Sequence, residues 1–191
     1  LMGGDVDTAD PMTFTKFRRL DEIVEEIFER DEKVLVFTSF TAMADIIARH
    51  VMKRFGAFAG VIDGRLPIEE RQPMIDRFGS IKGGAALVLN PKAGGAGLNI
   101  VAANHVIHYN PEWNPALEDQ ASARAHRRGQ ELPVTVHRLL IADTVEDVVN
   151  DRLTRKRTLS NAAIVGIEGK DEDYGDIVAA LSRSPSKQER K

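Results

Sequence analysis

Apolar and polar residues follow two periods along this chain, one typical of helices and one typical of buried strands. From Thr13 to Phe28, apolar residues recur at spacings of three and four with acidic residues opposite them, which predicts an amphipathic helix. The next segment, Lys33 to Thr38, is a continuous apolar run of strand length. Such a run is typical of a strand that is buried on both faces, as in a parallel sheet.

The same alternation continues through most of the chain. Further strands are predicted at Phe58 to Asp63, Ala85 to Leu89, His105 to Tyr109 and Val134 to Leu140. Further helices are predicted at Thr41 to Phe55, just after Pro67, at Pro115 to about Arg127 and at Thr144 to about Leu159. Because strands that alternate with helices of this length build βαβ units, we predict an α/β fold with a parallel sheet.

The two ends of the chain differ from this pattern. Residues 1–12 are rich in Gly and Asp and are predicted to be a linker or leader, and residues 13–160 are predicted to form the folded lobe. Residues 161–191 are predicted to be a C-terminal extension that is partly flexible, because its last part is polar. The chain begins at Leu1 rather than Met, so we expect a piece of a longer protein.

Composition excludes several classes of protein. The 26 Lys and Arg against 29 Asp and Glu give a formal net charge of -3, which excludes a histone-like binder but not a local basic groove. Without cysteine, disulfide scaffolds, cysteine-ligated zinc and thiol catalysis are excluded. The five histidines lack paired ligand spacing, so no metal site is predicted. No apolar run approaches the roughly 20 residues that cross a bilayer. We expect no membrane partner and a cytoplasmic location, or a nuclear one in a eukaryote.

A glycine-rich segment after the third predicted strand is a candidate binding loop. It contains Gly94, Gly95 and Gly97 and lies next to Lys92. Ligands of open parallel sheets bind at the carboxyl ends of the strands, and glycines let backbone N–H groups converge on an anion. An ordinary strand-to-helix turn would explain the glycines equally well. Their spacing matches neither a P-loop nor a dinucleotide fingerprint, and no P-loop occurs anywhere in the chain.

Two further features are candidates for phosphate or nucleic-acid contacts. Gln120, Arg124 and Arg127 share one face of the predicted helix, and arginine binds phosphate oxygens bidentately. The alternative is a solvated basic helix end, which the helix dipole favours. Trp113, the one tryptophan of the chain, lies between two Asn-Pro pairs and is either presented outward or packs its loop onto the domain.

Taken in order, these segments resemble the C-terminal RecA-like lobe of Swi/Snf-type ATPases, which belong to helicase superfamily two. Lys33 to Phe40 is similar to the family's motif IV, Lys92 to Asn99 to motif V, and Gln120 to Gln130 to motif VI. Trp113 to Pro115 matches the Trp-Asn-Pro element. The chain departs from the family at Ala123 and Asn110, where an Asp is usual.

The resemblance implies a RecA-like parallel sheet with helices on both faces, plus a C-terminal helical extension. In this family ATP lies between two such lobes, and the N-terminal lobe, which is another part of the protein, supplies the phosphate-binding loop and the carboxylates that hold Mg²⁺. The C-terminal lobe supplies arginine fingers, here Arg124 and Arg127 as catalytic residues. ATP-binding positions would be Gly95, Gly97 and Gln120. Contacts with double-stranded DNA would be made by Thr38, Ser39, Lys92, Gly94 and Trp113.

We therefore expect the C-terminal half of an ATP-dependent double-stranded DNA translocase. Its partners would be the N-terminal lobe, duplex DNA and further proteins of a complex, and its cofactors would be ATP and Mg²⁺. The chain alone is expected to be inactive, because it lacks the phosphate-binding loop. Two alternatives are an RNA or single-strand helicase lobe and a degenerate, non-catalytic binding module, which the departures at Ala123 and Asn110 would favour.

Overall fold

Five parallel strands form a sheet through the part of the chain that the structure describes. The structure is a computed structural model, and it describes residues 11–92, 98, 100–112, 114–125, 132–141, 146 and 154. The strands are β1 (Lys33–Phe37), β2 (Phe58–Ile62), β3 (Ala85–Leu89), β4 (His105–His108) and β5 (Thr135–Arg138). Their order across the sheet is β2-β3-β1-β4-β5, with every neighbouring pair parallel. The predicted parallel α/β fold is confirmed.

Helices cover both faces of this sheet. They are α1 (Thr15–Phe28), α2 (Thr41–Phe55), α3 (Ile68–Ser80) and α4 (Pro115–Ser122), preceded by a 3-10 turn at Pro11–Thr13. Helices α1 and α2 pack on one face, and α3 and α4 pack on the other. The described helices include none that is both long and apolar enough to cross a membrane.

Strand β1 contributes side chains to two hydrophobic cores, one on each face of the sheet, because successive strand residues face opposite sides of a sheet. Val34 and Val36 belong to the core under α1 and α2, which includes Phe17. Leu35 and Phe37 belong to the core under α3 and α4, where Phe78 is fully buried. This double burial explains the continuous apolar run that the sequence shows at β1.

The predicted end of α4 is wrong. The helix ends at Ser122 rather than near Arg127, and residues 123–125 form a turn. Its last hydrogen bonds tighten to a three-residue spacing, from Arg124 N–H to the Ala121 carbonyl at 3.2 Å. The Arg124 carbonyl accepts instead from the Ile100 N–H at 3.1 Å, so a distant segment takes the acceptor that a longer helix would use.

The predicted chain ends are only partly described. Met12, inside the predicted linker, packs against the hydrophobic core, and Glu146 in the helix predicted after β5 is helical. The Lys16 Nζ donates to Glu146 Oε1 at 2.5 Å and to Oε2 at 2.7 Å, which ties that region to α1. Residues 1–10 and 161–191 lie outside the described residues, so their predicted boundaries stay predictions.

Candidate functional site

The carboxyl ends of β1, β3 and β4 lie side by side, and polar residues follow each of them. Phe37 pairs with Leu89 on one side and with His108 on the other. The backbone pairing continues one step further, because the Thr38 N–H donates to the Leu89 carbonyl at 3.0 Å and the Tyr109 N–H donates to the Phe37 carbonyl at 2.9 Å. Three loops therefore begin next to one another at this edge, as expected for the binding edge of a parallel sheet.

Asn90 joins two of these loops. Its side-chain Nδ2 donates to the Ser39 carbonyl at 3.3 Å, and its Oδ1 accepts from the Lys92 N–H at 2.9 Å. The Lys92 side chain is exposed. Through Asn90, the structure brings the predicted DNA-contact residues Ser39 and Lys92 to one place.

Arg124 is buried at the same edge, with 4% of its surface exposed. Its guanidinium Nη2 donates to the Pro91 carbonyl at 3.2 Å, and its Cζ lies 5.9 Å from the centroid of the Phe37 ring. Pro91 is the residue just before Lys92 and the glycine-rich segment. The carbonyl is a neutral acceptor, and a guanidinium keeps its positive charge when it is buried.

The hydroxyl groups of Thr38 and Ser39 take part in hydrogen bonds within the lobe. Thr38 is 1% exposed, and its Oγ1 donates to Asn110 Oδ1 at 2.7 Å. The Ser39 Oγ donates to the carboxylate of Glu112. Asn110, one of the two departures from the family pattern, therefore still provides the oxygen that Thr38 needs. These contacts connect the end of β1 to the loop that follows β4.

The sequence pattern did not predict that Glu118 and Arg138 hold the loop after β4 from its other side. Glu118 on α4 has no exposed surface, and it accepts from the Glu112 N–H at 3.2 Å and from Arg138 Nε at 2.9 Å. A carboxylate in the middle of a predicted helix is ordinarily solvated, so the pattern carried no signal for this role. Glu118 and Arg138 are 20 positions apart along the chain, and only the fold brings their side chains together.

A second arginine, Arg65, donates hydrogen bonds to two carboxylates beside β2. Arg65 donates to Asp63 at 2.6 Å and to Asp45 at 2.7 Å, and Asp63 is 2% exposed. The Arg65 hydrogen bonds hold the pKa of both carboxyl groups below their usual range. The two carboxylates in turn raise the pKa of Arg65. The Arg65 charge is thus paired with two carboxylates, which is a structural arrangement rather than a free binding group.

The remaining site residues divide into two groups. Gln120 is exposed on α4, whereas Arg124 is buried in the turn after that helix, so the expectation that they share one helical face is wrong. The other predicted site residues, Gly94, Gly95, Gly97, Trp113 and Arg127, lie outside the described residues. Among the residues that are described, no group of three or more His, Asp or Glu side chains could hold a metal ion.

The fold and the gathered loop ends define a RecA-like α/β lobe. A family profile described as the helicase conserved C-terminal domain matches residues 15–129, and the chain belongs to this family. Within it the chain is a Swi/Snf-type C-terminal lobe, which confirms the resemblance seen in the motifs.

Three similar proteins support this placement. YwqA of Bacillus subtilis (strain 168) is 40% identical over 149 residues, which are 78% of this chain and 16% of YwqA. The structure of the C-terminal part of the Fun30 ATPase domain superposes with a TM-score of 0.71 at 33% identity, covering 76% of this chain and 47% of that one. The Sulfolobus solfataricus SWI2/SNF2 ATPase core in complex with dsDNA superposes with a TM-score of 0.66 at 31% identity, covering 81% of this chain and 32% of that one. The chain thus spans less than a quarter of YwqA and less than half of either solved structure.

Proposed function

We propose that this chain is the C-terminal half of an ATP-dependent translocase on double-stranded DNA. Its partner within the same protein is the N-terminal RecA-like lobe, and ATP binds in the cleft between the two lobes. The solved SWI2/SNF2 relative with duplex DNA supports the choice of double-stranded DNA as substrate.

The observation that carries the proposal is the place of Arg124. Its charged guanidinium lies at the carboxyl edge of the sheet, hydrogen-bonded to Pro91 at the start of the glycine-rich segment. An anionic phosphate group fits such a position, because arginine offers several N–H donors and keeps its charge when it is buried.

In this proposal Arg124 and Arg127 are the catalytic residues. They stabilise the charge that develops on the γ-phosphate oxygens during hydrolysis. Gly95, Gly97 and Gln120 line the same cleft. The N-terminal lobe provides the phosphate-binding loop and most of the ligands of Mg²⁺, which neutralises phosphate charge when it is bound.

The DNA side of the proposal uses the loop ends next to the arginine. Lys92 and Gly94 contact backbone phosphates. Thr38 and Ser39 contribute chiefly by holding the loop after β4, since their hydroxyls bond Asn110 and Glu112. Contacts of this kind position a protein on DNA without reading the base sequence, which suits a translocase.

Hydrolysis by the intact protein tests the proposal. ATP turnover is measured with no nucleic acid, with duplex DNA, with single-stranded DNA and with RNA, each at matched nucleotide concentration. We expect the strongest stimulation from duplex DNA, and no turnover by residues 1–191 alone. Stronger stimulation by RNA or single strands would replace duplex DNA as the substrate, and no turnover under any condition would favour a degenerate binding module.

A further inference from the structure

Glu118 is the most deeply buried carboxylate in the part of the chain that the structure describes. None of its surface is exposed, although it occupies an ordinary position in α4. Removing a carboxylate from water is costly unless hydrogen bonds and an opposite charge compensate for it. We therefore expect hydrogen-bond donors and an opposite charge next to the Glu118 carboxylate.

Two hydrogen-bond partners of Glu118 come from different parts of the fold. Oε1 accepts from the backbone N–H of Glu112, in the loop after β4, at 3.2 Å. Oε2 accepts from Nε of Arg138, the last residue of β5, at 2.9 Å. The carboxylate thus joins α4, this loop and the neighbouring edge strand through side-chain contacts.

The same loop is attached at its other side to the end of β1. Asn110 accepts from Thr38 at 2.7 Å, and the side chain of Glu112 accepts from Ser39. Glu112 is consequently held twice, by its side chain from β1 and by its backbone from Glu118. The next residue along the chain is Trp113, which the motif pattern assigns to DNA contact.

We infer that Glu118 is a positioning residue that acts through the Glu112 N–H and Arg138 to hold residues 110–112, and with them the predicted DNA-contact residues Thr38 and Ser39, for binding to DNA. The inference rests on the proposed function, because it assumes that the loop binds a nucleic acid. Holding the loop in one conformation before DNA arrives lowers the entropy lost on binding. Loss of Glu118 should therefore weaken DNA binding more than it slows hydrolysis without DNA.

The test uses the intact protein and three substitutions. Glu118→Gln keeps the size of the side chain but leaves only one acceptor oxygen for two donors. Arg138→Gln removes the positive charge that pairs with Glu118. The side chain of Arg138 is 36% exposed, so this substitution empties no buried space. Arg138→Lys keeps the charge as a conservative rescue. Glu70→Gln on the exposed side of α3 is the matched control.

Two quantities are measured for each variant: the rate of ATP hydrolysis without DNA, and the duplex concentration that gives half-maximal stimulation. For Glu118→Gln and Arg138→Gln we expect the half-maximal concentration to rise about tenfold, the effect of losing one charged hydrogen bond. We expect the DNA-independent rate to stay within about twofold in the same variants. Arg138→Lys should recover part of the loss, and the control should match the wild type.

Two results would overturn the inference. One is an unchanged half-maximal concentration in both Glu118→Gln and Arg138→Gln. The other is a fall in the DNA-independent rate as large as the loss of DNA response, which would indicate damage to the whole lobe. Wild-type protein that duplex DNA fails to stimulate would instead refute the proposed function, so the two failures are distinguishable.

Discussion

Arg124 and Pro91 are joined by a hydrogen bond of 3.2 Å from the guanidinium Nη2 to the carbonyl oxygen. The residue proposed as an arginine finger therefore also anchors the start of the glycine-rich segment. Because Arg124 is 4% exposed and lies over the ring of Phe37, its side chain belongs to the packing of the lobe as well as to the site. Substitutions at this position should affect both hydrolysis and stability.

Arg124→Ala is expected to lower ATP hydrolysis by the intact protein at least about 100-fold, the usual effect of removing a group that stabilises transition-state charge. It should also lower the free energy of unfolding by about 2–4 kcal/mol, since the Pro91 carbonyl loses its donor and buried space is emptied. Turnover assays and chemical denaturation measure the two effects. Arg30→Gln, exposed beyond α1 at the opposite edge of the sheet, is the control. Normal turnover by Arg124→Ala would refute its catalytic role.

Arg127→Ala is expected to abolish hydrolysis by the intact protein while DNA binding stays nearly intact, because the proposed role concerns the phosphate alone. Steady-state turnover and the anisotropy of a labelled duplex report the two properties separately. A variant that hydrolyses ATP at the wild-type rate would show that Arg127 is not a finger.

Thr38→Val is expected to lower the free energy of unfolding by about 1–2 kcal/mol, because the hydrogen bond from the buried Thr38 hydroxyl to Asn110 Oδ1 would be lost. Val has nearly the shape of Thr, so packing changes little. Thr38→Ser keeps the hydroxyl and serves as the matched comparison. If the Val variant unfolds at the wild-type denaturant concentration, the bond from Thr38 to Asn110 contributes nothing to stability.

Asp63 and Asp45 should make the stability of the lobe depend on acid pH. The Arg65 hydrogen bonds lower the pKa of both carboxyl groups in the folded state. Their stabilising contribution is therefore complete above the unfolded pKa of about 3.9 and is lost as the pH falls through the lower folded pKa. Arg65→Gln should destabilise the protein near neutral pH and progressively less below about pH 4.

Thermal unfolding between pH 7 and pH 2.5 measures this dependence. The control is Arg18→Gln, which removes an exposed charge from α1. A difference between Arg65→Gln and wild type that stays constant across this range would show that the carboxylates do not carry the effect.

The helices and strands that a local pattern of apolar residues specifies were predicted closely. The bounds of α2 and β3 agree with the pattern at both ends, and the other strands end within a few residues of the predicted positions. Period and burial determine these elements, because a continuous apolar run has few alternatives to a strand buried on both faces. The order of the motifs along the chain likewise indicates the family.

The contacts that build the site could not be predicted in this way. Thr38 and Asn110 are 72 positions apart, and their hydrogen bond depends on β1 and β4 being neighbours in the sheet. The predicted end of α4 was wrong for a related reason, since the Arg124 carbonyl accepts a hydrogen bond from the N–H of Ile100, which is distant along the chain.

Periodicity and motif order lie along the chain, so they are enough to predict the alternation of helices and strands, the parallel sheet and the Swi/Snf-type family. The contact of Arg124 with Pro91 and the burial of Glu118 between the Glu112 N–H and Arg138 depend instead on how the chain folds. A buried charge is tolerable only where the fold supplies its partners, and those partners come from segments that are distant along the chain.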